Sequence, residues 1–124
     1  MWYLSNMEDH PRWSPTLDHP AAQGGPGIKY DSDKPDYSLL PFYALEEVTR
    51  ALTYGAKKYS RDNWRRVPNF HTRYLAAAFR HITAHARGEL RDPETGLLHM
   101  AHAVVSLLYI AEDILTITRG DKGA

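Results

Sequence analysis

The chain contains no cysteine, so disulfides and thiolate metal sites are excluded, and a metal ion would need imidazole, carboxylate or water ligands. It also has no excess of one charge, because 15 Lys and Arg balance 15 Asp and Glu. A formal net charge of zero argues against a general nucleic-acid-binding protein, which usually carries a basic excess. A small anionic ligand is not excluded, because lysine and arginine can still be clustered locally.

Membrane and export signals are also lacking. Residues 1–9 have no basic start followed by an apolar run, so no signal peptide is predicted. The most apolar segment, 101–117, contains His102, Glu112 and Asp113, which predicts a core helix and not a membrane span. The absence of cysteine fits a cytoplasmic protein.

Proline and glycine divide a chain whose 124 residues fit one domain. Residues 1–28 are rich in both, which predicts an irregular N-terminal arm. Residues 29–124 would form the folded domain. A polar stretch, 29–40, leads there to Pro41, a residue type favoured at the start of a helix.

Apolar residues then recur every three or four positions, the spacing of amphipathic helices. The predicted helices run from Phe42 to about Tyr59 or Ser60, from about Phe70 to Arg87, and from about Leu97 to Thr118. Gly88 is a predicted stop. Residues 92–96 are a predicted turn, in which Asp92 before Pro93 can also act as a helix N-cap. Short links favour an all-α, up-down bundle of three main helices. The third helix is apolar on nearly every side, so it should be central or buried in a subunit interface.

Each predicted helix also carries a row of polar side chains at helical spacing. The rows are Glu47, Arg50, Tyr54 and Lys58; then His71, Tyr74, His81 and His85; then His99, His102, Ser106, Tyr109 and Asp113. The first row is equally explained by a solvated face on which Glu46 pairs with Arg50. His81 and His85 have the i, i+4 spacing of a metal-binding pair, but such pairs are often surface residues.

The row on the third helix is the most informative, because a buried polar group without a partner costs about 1–3 kcal/mol. Two explanations stay open. The row either forms a hydrogen-bonded packing network, or it supplies ligands and acid–base groups to a site at the bundle centre.

Cationic and aromatic side chains crowd the end of the first helix and the following loop. They are Lys57, Lys58, Tyr59, Arg61, Asn63, Trp64, Arg65 and Arg66. Cations suit phosphate oxygens, rings stack on a nucleobase, and an amide can hydrogen-bond to its edge. Alternatively, the lysines merely interact with the carboxyl end of the helix.

Short motifs between residues 29 and 115 resemble a known family. They are KYDSDKP (29–35), LLP (39–41), GAKKY (55–59), NW (63–64), RH (80–81), DPETG (92–96) and HMAHA (99–103). In this order they resemble the short, often phage-encoded dATP/dGTP diphosphohydrolase-like proteins, including MazZ-like members, of the MazG-related all-α NTP pyrophosphohydrolase group.

The resemblance implies that residues 29–124 form a MazG-like catalytic domain. It would hydrolyse a (deoxy)nucleoside triphosphate, preferably (d)GTP, to the monophosphate and pyrophosphate, using Mg²⁺ or Mn²⁺. The implied assembly is a homodimer or homotetramer that completes the bundle. The implied setting is the cytoplasm, that of the host cell for a phage protein, with no membrane or nucleic-acid polymer as a partner.

The metal motifs depart from those of the wider group, which uses Glu-x-x-Glu on one helix and Glu-x-x-Asp on a later one. The first motif maps on Glu47, with Arg50 three residues later, and the second maps on His99 and His102. Imidazole ligands favour Mn²⁺ or another transition ion more than an all-oxygen cage does.

The resulting hypothesis assigns three roles. The metal ligands are Glu47, His81, His99 and His102, and the catalytic residues are Glu46, Glu47, Lys58, Asp92 and Glu94. The substrate-binding residues are Lys29, Lys34, Tyr59, Asn63, Trp64 and Arg80. Rival interpretations are a zinc hydrolase that uses His81, His85, His99 and His102, and a non-enzymatic helical module for nucleotide binding or dimerisation.

Overall fold

The computed structural model describes residues 24–120, so most of the predicted arm lies outside the described residues. The chain divides into two compact units at Phe42. In the first unit, a short 3-10 helix spans Tyr37–Leu39, and the Asp36 side chain accepts a hydrogen bond from the Ser38 backbone N–H at 3.0 Å. Lys29 lies in the same unit and is exposed.

Three α-helices follow and confirm the predicted all-α class: α1 (Phe42–Lys58), α2 (Phe70–Ala86) and α3 (His99–Thr118). A 3-10 helix, Asn63–Arg66, lies between α1 and α2, and the described residues contain no β-strand. The helices differ from the predicted bounds by one or two residues at some ends, as expected where terminal turns fray.

The end of α2 shows how a local sequence signal sets a helix boundary. Gly88 has φ +100°, a left-handed conformation that favours glycine, and its N–H donates to the His85 carbonyl at 2.9 Å. The Glu89 N–H donates to the Ala84 carbonyl at 3.1 Å. These bonds form a glycine-based C-cap, so the predicted stop at Gly88 is confirmed.

Two side-chain pairs show that α2 and α3 run antiparallel. His71, near the start of α2, lies 2.8 Å from Asp113 in the second half of α3. His81, near the end of α2, lies 2.8 Å from His99 at the start of α3. The loop between them is closed by an antiparallel bridge between Arg91 and Leu98. This is the helical hairpin expected for neighbours in an up-down bundle.

The turn predicted at residues 92–96 is confirmed, with the Gly96 N–H donating to the Asp92 carbonyl at 2.7 Å. The additional role of Asp92 as a helix N-cap is wrong, because α3 begins only at His99. Asp92 instead organises the loop: its Oδ1 accepts the backbone N–H groups of Glu94 at 2.7 Å and Thr95 at 3.2 Å. An Asp side chain that bonds to the backbone two residues later forms an Asx turn, which competes with helix capping.

The apolar core joins α1 to α3. It consists of Val48 and Ala51 on α1 with Ala101 and Val105 on α3. Among the described helices α3 contributes the most buried residues, although only 22% of its most apolar 18-residue window is buried. Its position, central or buried in a subunit interface, stays a prediction.

Large apolar side chains also remain outside this core. On α2 and α3 they are Leu75, Phe79, Ile82, Val104, Leu107, Leu108, Ile114, Leu115 and Ile117. By length and composition alone α3 is apolar enough to cross a membrane, but the core helix of a soluble protein passes the same test. One such helix is weak evidence of a membrane span.

Candidate functional site

A cavity of about 750 Å³ lies among α1, α2, α3 and the two loops that join them. Many of the predicted site residues line it: Lys58, Tyr59, Asn63, Trp64, Arg80, His81, Asp92, Glu94 and His102. The volume falls within the range of about 300–1,000 Å³ that is usual for small-molecule sites. The convergence predicted from helical spacing is therefore present in three dimensions.

Three imidazoles meet at one end of this cavity. The Nδ1 atoms of His81 and His99 lie 2.8 Å apart. The rings of His81 and His102 stack with their centroids 4.8 Å apart and their planes 16° apart. His99 is buried, at 4% exposure. The packing of α2 on the first turn of α3 is what brings His81 to the other two.

Oxygen atoms from the loop hold two of these rings. His99 Nε2 lies 2.7 Å from Glu89 Oε1, and His102 Nε2 lies 2.7 Å from Thr95 Oγ1. Thr95 Oγ1 also accepts the N–H of Leu97 at 3.2 Å. Each ring therefore has one nitrogen engaged by the loop and is fixed in orientation.

Burial and crowding favour the neutral imidazoles of His81 and His102. The pKa of His81 is lowered first by burial and then by the neighbouring His102 and His99, and that of His102 is lowered mainly by burial. Burial works to raise the pKa of Asp92, but its bonds from the backbone N–H groups of Glu94 and Thr95 outweigh that effect and lower it. Neutral nitrogens and an ionised carboxylate are the forms that bind metal ions.

Three of these side chains are close enough to share one ion. The nearest ligand atoms of His81, Asp92 and His99 all lie within 4.8 Å of one another. His85 is exposed and does not belong to this group, although its i+4 spacing from His81 was the sequence signal. The residues brought to His81 come from the loop and from α3 instead.

A second polar cluster surrounds Glu94. Its Oε2 accepts hydrogen bonds from the Tyr54 hydroxyl at 2.7 Å and from Lys58 Nζ at 3.0 Å. These bonds lower the pKa of Glu94 and raise the pKa values of both donors. Lys58, predicted to neutralise phosphate, is thus already paired with a predicted catalytic carboxylate.

The two glutamates of the first metal motif have different surroundings. Glu46 is exposed and pairs with Arg50 at 3.0 Å, the i, i+4 pair suggested by the sequence. Glu47 Oε2 accepts the Leu98 N–H at 2.9 Å and lies 3.5 Å from an Arg91 nitrogen. Neither glutamate lines the cavity. Their predicted roles in metal binding and catalysis stay predictions, and the visible role of Glu47 is to hold the start of α3.

The aromatic part of the cavity is mostly packed against itself. Trp64 is 8% exposed and stacks on Tyr109 with centroids 4.6 Å apart and planes 11° apart. The Arg65 guanidinium lies 4.4 Å from the centre of the indole. Little of Trp64 is left for a nucleobase, whereas Tyr59 is 63% exposed and lines the cavity.

Some contributors were not singled out from the sequence. No sequence pattern pointed to Glu89, because only the folded loop brings it to His99. Thr95 belongs to the DPETG motif and Tyr54 to the polar row of α1, but the sequence assigned neither of them a role in the site. Lys34 belongs to the first unit, and its predicted phosphate contact stays a prediction, as does that of Lys29.

Comparison with known proteins decides the family. Residues 24–122 match the family described as "dATP/dGTP diphosphohydrolase, N-terminal". The chain belongs to this family. The resemblance seen in the motifs is thereby confirmed for the dATP/dGTP diphosphohydrolase group.

A relative from Salmonella phage PMBT28, named dATP/dGTP diphosphohydrolase, is 40% identical over 84 residues. The match covers 68% of this chain but 28% of that relative. The chain thus spans under a third of the length of this relative. No solved structure matches the present chain.

Proposed function

We propose that this chain hydrolyses a deoxynucleoside triphosphate, with dGTP preferred, to the monophosphate and pyrophosphate. The observation that supports this most is the cavity, which is lined together by carboxylates, imidazoles, cations and an exposed tyrosine. The family is named for dATP and dGTP diphosphohydrolysis, as is the phage relative. The guanine preference comes from the MazZ-like motifs alone.

The reaction needs a nucleophile and charge neutralisation. A water oxygen forms a bond to the α-phosphorus, the bond from that phosphorus to the bridging oxygen breaks, and pyrophosphate leaves. One proton of the water passes to a base, for which Asp92 and Glu94 are the candidates that line the cavity. Lys58 and Arg80 would neutralise phosphate oxygens, and Tyr59 and Asn63 would contact the nucleoside.

Substrate binding would rearrange one contact. Lys58 is paired with Glu94, so a phosphate group that takes up Lys58 must compete with this carboxylate. The exchange would leave Glu94 free to accept a proton or approach a cation. Repulsion between the Glu94 carboxylate and the phosphate chain would favour this exchange, because it would move the carboxylate away from Lys58.

The proposed cofactor is a divalent ion, Mn²⁺ or Mg²⁺. His81, His99 and Asp92 would hold it, and Glu47 and His102 remain further candidates. Such an ion would supply charge neutralisation and a water of lowered pKa. The donor set fits Mn²⁺ better than Mg²⁺, because Mg²⁺ prefers oxygen ligands and keeps several of its waters.

We also propose a homodimer or homotetramer in the cytoplasm, without a membrane or nucleic-acid partner. The exposed apolar side chains of α2 and α3 support a second copy of the chain as the partner, since patches of this kind usually mark interfaces. The balanced formal charge supports the absence of a nucleic-acid partner.

The test is an incubation of the purified chain with each of the eight common (d)NTPs and Mn²⁺ or Mg²⁺, followed by separation of the products. The expected products are monophosphate and pyrophosphate, with the highest kcat/KM for dGTP. Glu94→Gln should lower turnover at least tenfold, and Glu112→Gln, an exposed glutamate outside the cavity, is the control that should leave turnover unchanged. Release of single phosphates, or no turnover with any substrate, would contradict the proposal.

A further inference from the structure

The polar row of α3 contains a hydroxyl that the neighbouring side chains do not use. The two histidines of the row contact the loop, and Tyr109 stacks on Trp64. Asp113 lies 2.8 Å from His71. Within residues 24–120, however, the side chain of Ser106 makes no hydrogen bond. A packing network between helices therefore does not account for this hydroxyl.

Ser106 is nevertheless nearly buried, at 5% exposure, and it lines the cavity. A buried hydroxyl without a partner costs free energy, so proteins rarely keep one that has no use. Among the described residues, the polar atom that is sealed from solvent without a hydrogen-bond partner is Arg65 Nε. Ser106 Oγ is not sealed in this way. The hydroxyl therefore opens into the cavity, where a bound molecule can reach it.

The position of Ser106 along α3 indicates which part of a nucleotide it would meet. Ser106 follows His102 by four residues and precedes Tyr109 by three, so it shares their face and lies about one helical turn from each. His102 belongs to the three imidazoles at one end of the cavity. Tyr109 stacks on Trp64, which follows Asn63 in the chain. Ser106 therefore lies between the imidazoles and the segment that carries Asn63.

We propose that Ser106 Oγ forms a hydrogen bond with the 3′-hydroxyl of the bound deoxynucleotide and so determines specificity for the sugar. This inference rests on the proposed function, in which charge on the phosphates is neutralised beside the imidazoles and Asn63 contacts the nucleoside. The sugar joins the phosphates to the base, so it is the part that would lie beside Ser106. Both hydroxyls can donate and accept, which allows the bond in either direction.

The test compares dGTP with 2′,3′-dideoxy-GTP, which lacks this hydroxyl, in the wild type and in Ser106→Ala. A site that hydrogen-bonds a substrate hydroxyl rejects the analogue without it, because the buried group of the protein then stays unpaired. Wild-type kcat/KM should be about five- to tenfold higher for dGTP, the effect of one hydrogen bond between neutral groups. In Ser106→Ala the two substrates should have equal kcat/KM, because the bonding partner is gone from the protein.

Two further measurements make the test specific. Thr118→Val is the matched control, because it removes a hydroxyl from the same helix at an exposed position outside the cavity. It should keep the wild-type preference for dGTP. Calorimetry with dGMP and 2′,3′-dideoxy-GMP measures the same preference without turnover. The urea midpoint of Ser106→Ala should equal that of the wild type, because the Ser106 hydroxyl makes no hydrogen bond within the described residues.

The outcomes separate this inference from the proposed function. Turnover of dGTP with the same preference over 2′,3′-dideoxy-GTP in Ser106→Ala as in the wild type would overturn the sugar contact and leave the hydrolysis standing. A lowered urea midpoint with that unchanged preference would also overturn it, by assigning the hydroxyl to packing. A preference for dGMP that disappears in Ser106→Ala, without turnover of any (d)NTP, would support the contact and overturn the hydrolysis.

Discussion

Replacing Glu47 tests whether this carboxylate holds the start of α3. In Glu47→Ala, the half-buried Leu98 N–H loses its acceptor at 2.9 Å. Hydrogen bonds to charged groups contribute about 1.5–3 kcal/mol. The contact with Arg91 adds little, because it is 3.5 Å long and the Arg91 side chain is 63% exposed. We therefore expect the free energy of unfolding to fall by about 2 kcal/mol.

The measurements are urea denaturation and thermal unfolding followed by circular dichroism, at fixed protein concentration because self-association shifts apparent stability. At roughly 4 °C per kcal/mol for a chain of this size, the melting temperature should fall by about 8 °C. Glu47→Gln keeps an oxygen acceptor without the charge, so its loss should be under about 1 kcal/mol. A Glu47→Ala protein as stable as the wild type would refute the reasoning.

The neighbouring glutamate is the matched control. Glu46 is exposed and its contact with Arg50 is an i, i+4 surface pair, worth about 0.3–0.5 kcal/mol. Glu46→Ala should therefore lower the free energy of unfolding by no more than this amount. Equal losses of unfolding free energy in the two alanine variants would show that the hydrogen bond from the Leu98 N–H to Glu47 contributes no more than a surface ion pair.

Three further predictions concern the cavity. The pKa values of His81 and His102 lie below their ordinary 6.5, so the unfolded chain binds more protons as pH falls through 6.5 and below. The free energy of unfolding should therefore fall over that range, less so in His102→Gln, and a pH-independent urea midpoint would contradict this. Glu94→Gln removes the charge that holds Lys58, so calorimetry should show tighter pyrophosphate binding; unchanged or weaker binding would argue against competition for Lys58. Trp64→Ala should cost about 3–5 kcal/mol in urea denaturation, because the indole is buried against Tyr109; a loss under 1 kcal/mol would mean that this stacking is not structural.

The positions of the acidic side chains explain why the cavity is lined by carboxylates of the loop and not by those of the first metal motif. Glu47 lies at the junction of α1 with the start of α3, where its oxygen accepts a backbone N–H. The acids that line the cavity come from the loop, as Asp92 and Glu94. The loop sits between the two helices that carry the histidines, so its carboxylates and the imidazoles are brought together by the same hairpin.

The sequence by itself determined the helices, because apolar spacing and a glycine stop are local signals. The α2 helix and its end at Gly88 needed only the 3.6-residue period and a residue that tolerates positive φ. The buried polar row of α3 was also readable, since its residues share one face. The family was readable from its motifs, and the family match over residues 24–122 confirms it.

Only the tertiary structure decided which polar residues meet. His81 has an i+4 neighbour in His85, yet its contacts are with His99 and Asp92, because helix packing and loop closure act between residues that are distant in sequence. The same holds for Glu89, which reaches His99 only after the loop folds back. Periodicity gives the face on which a side chain lies, but not the partner that it finds there.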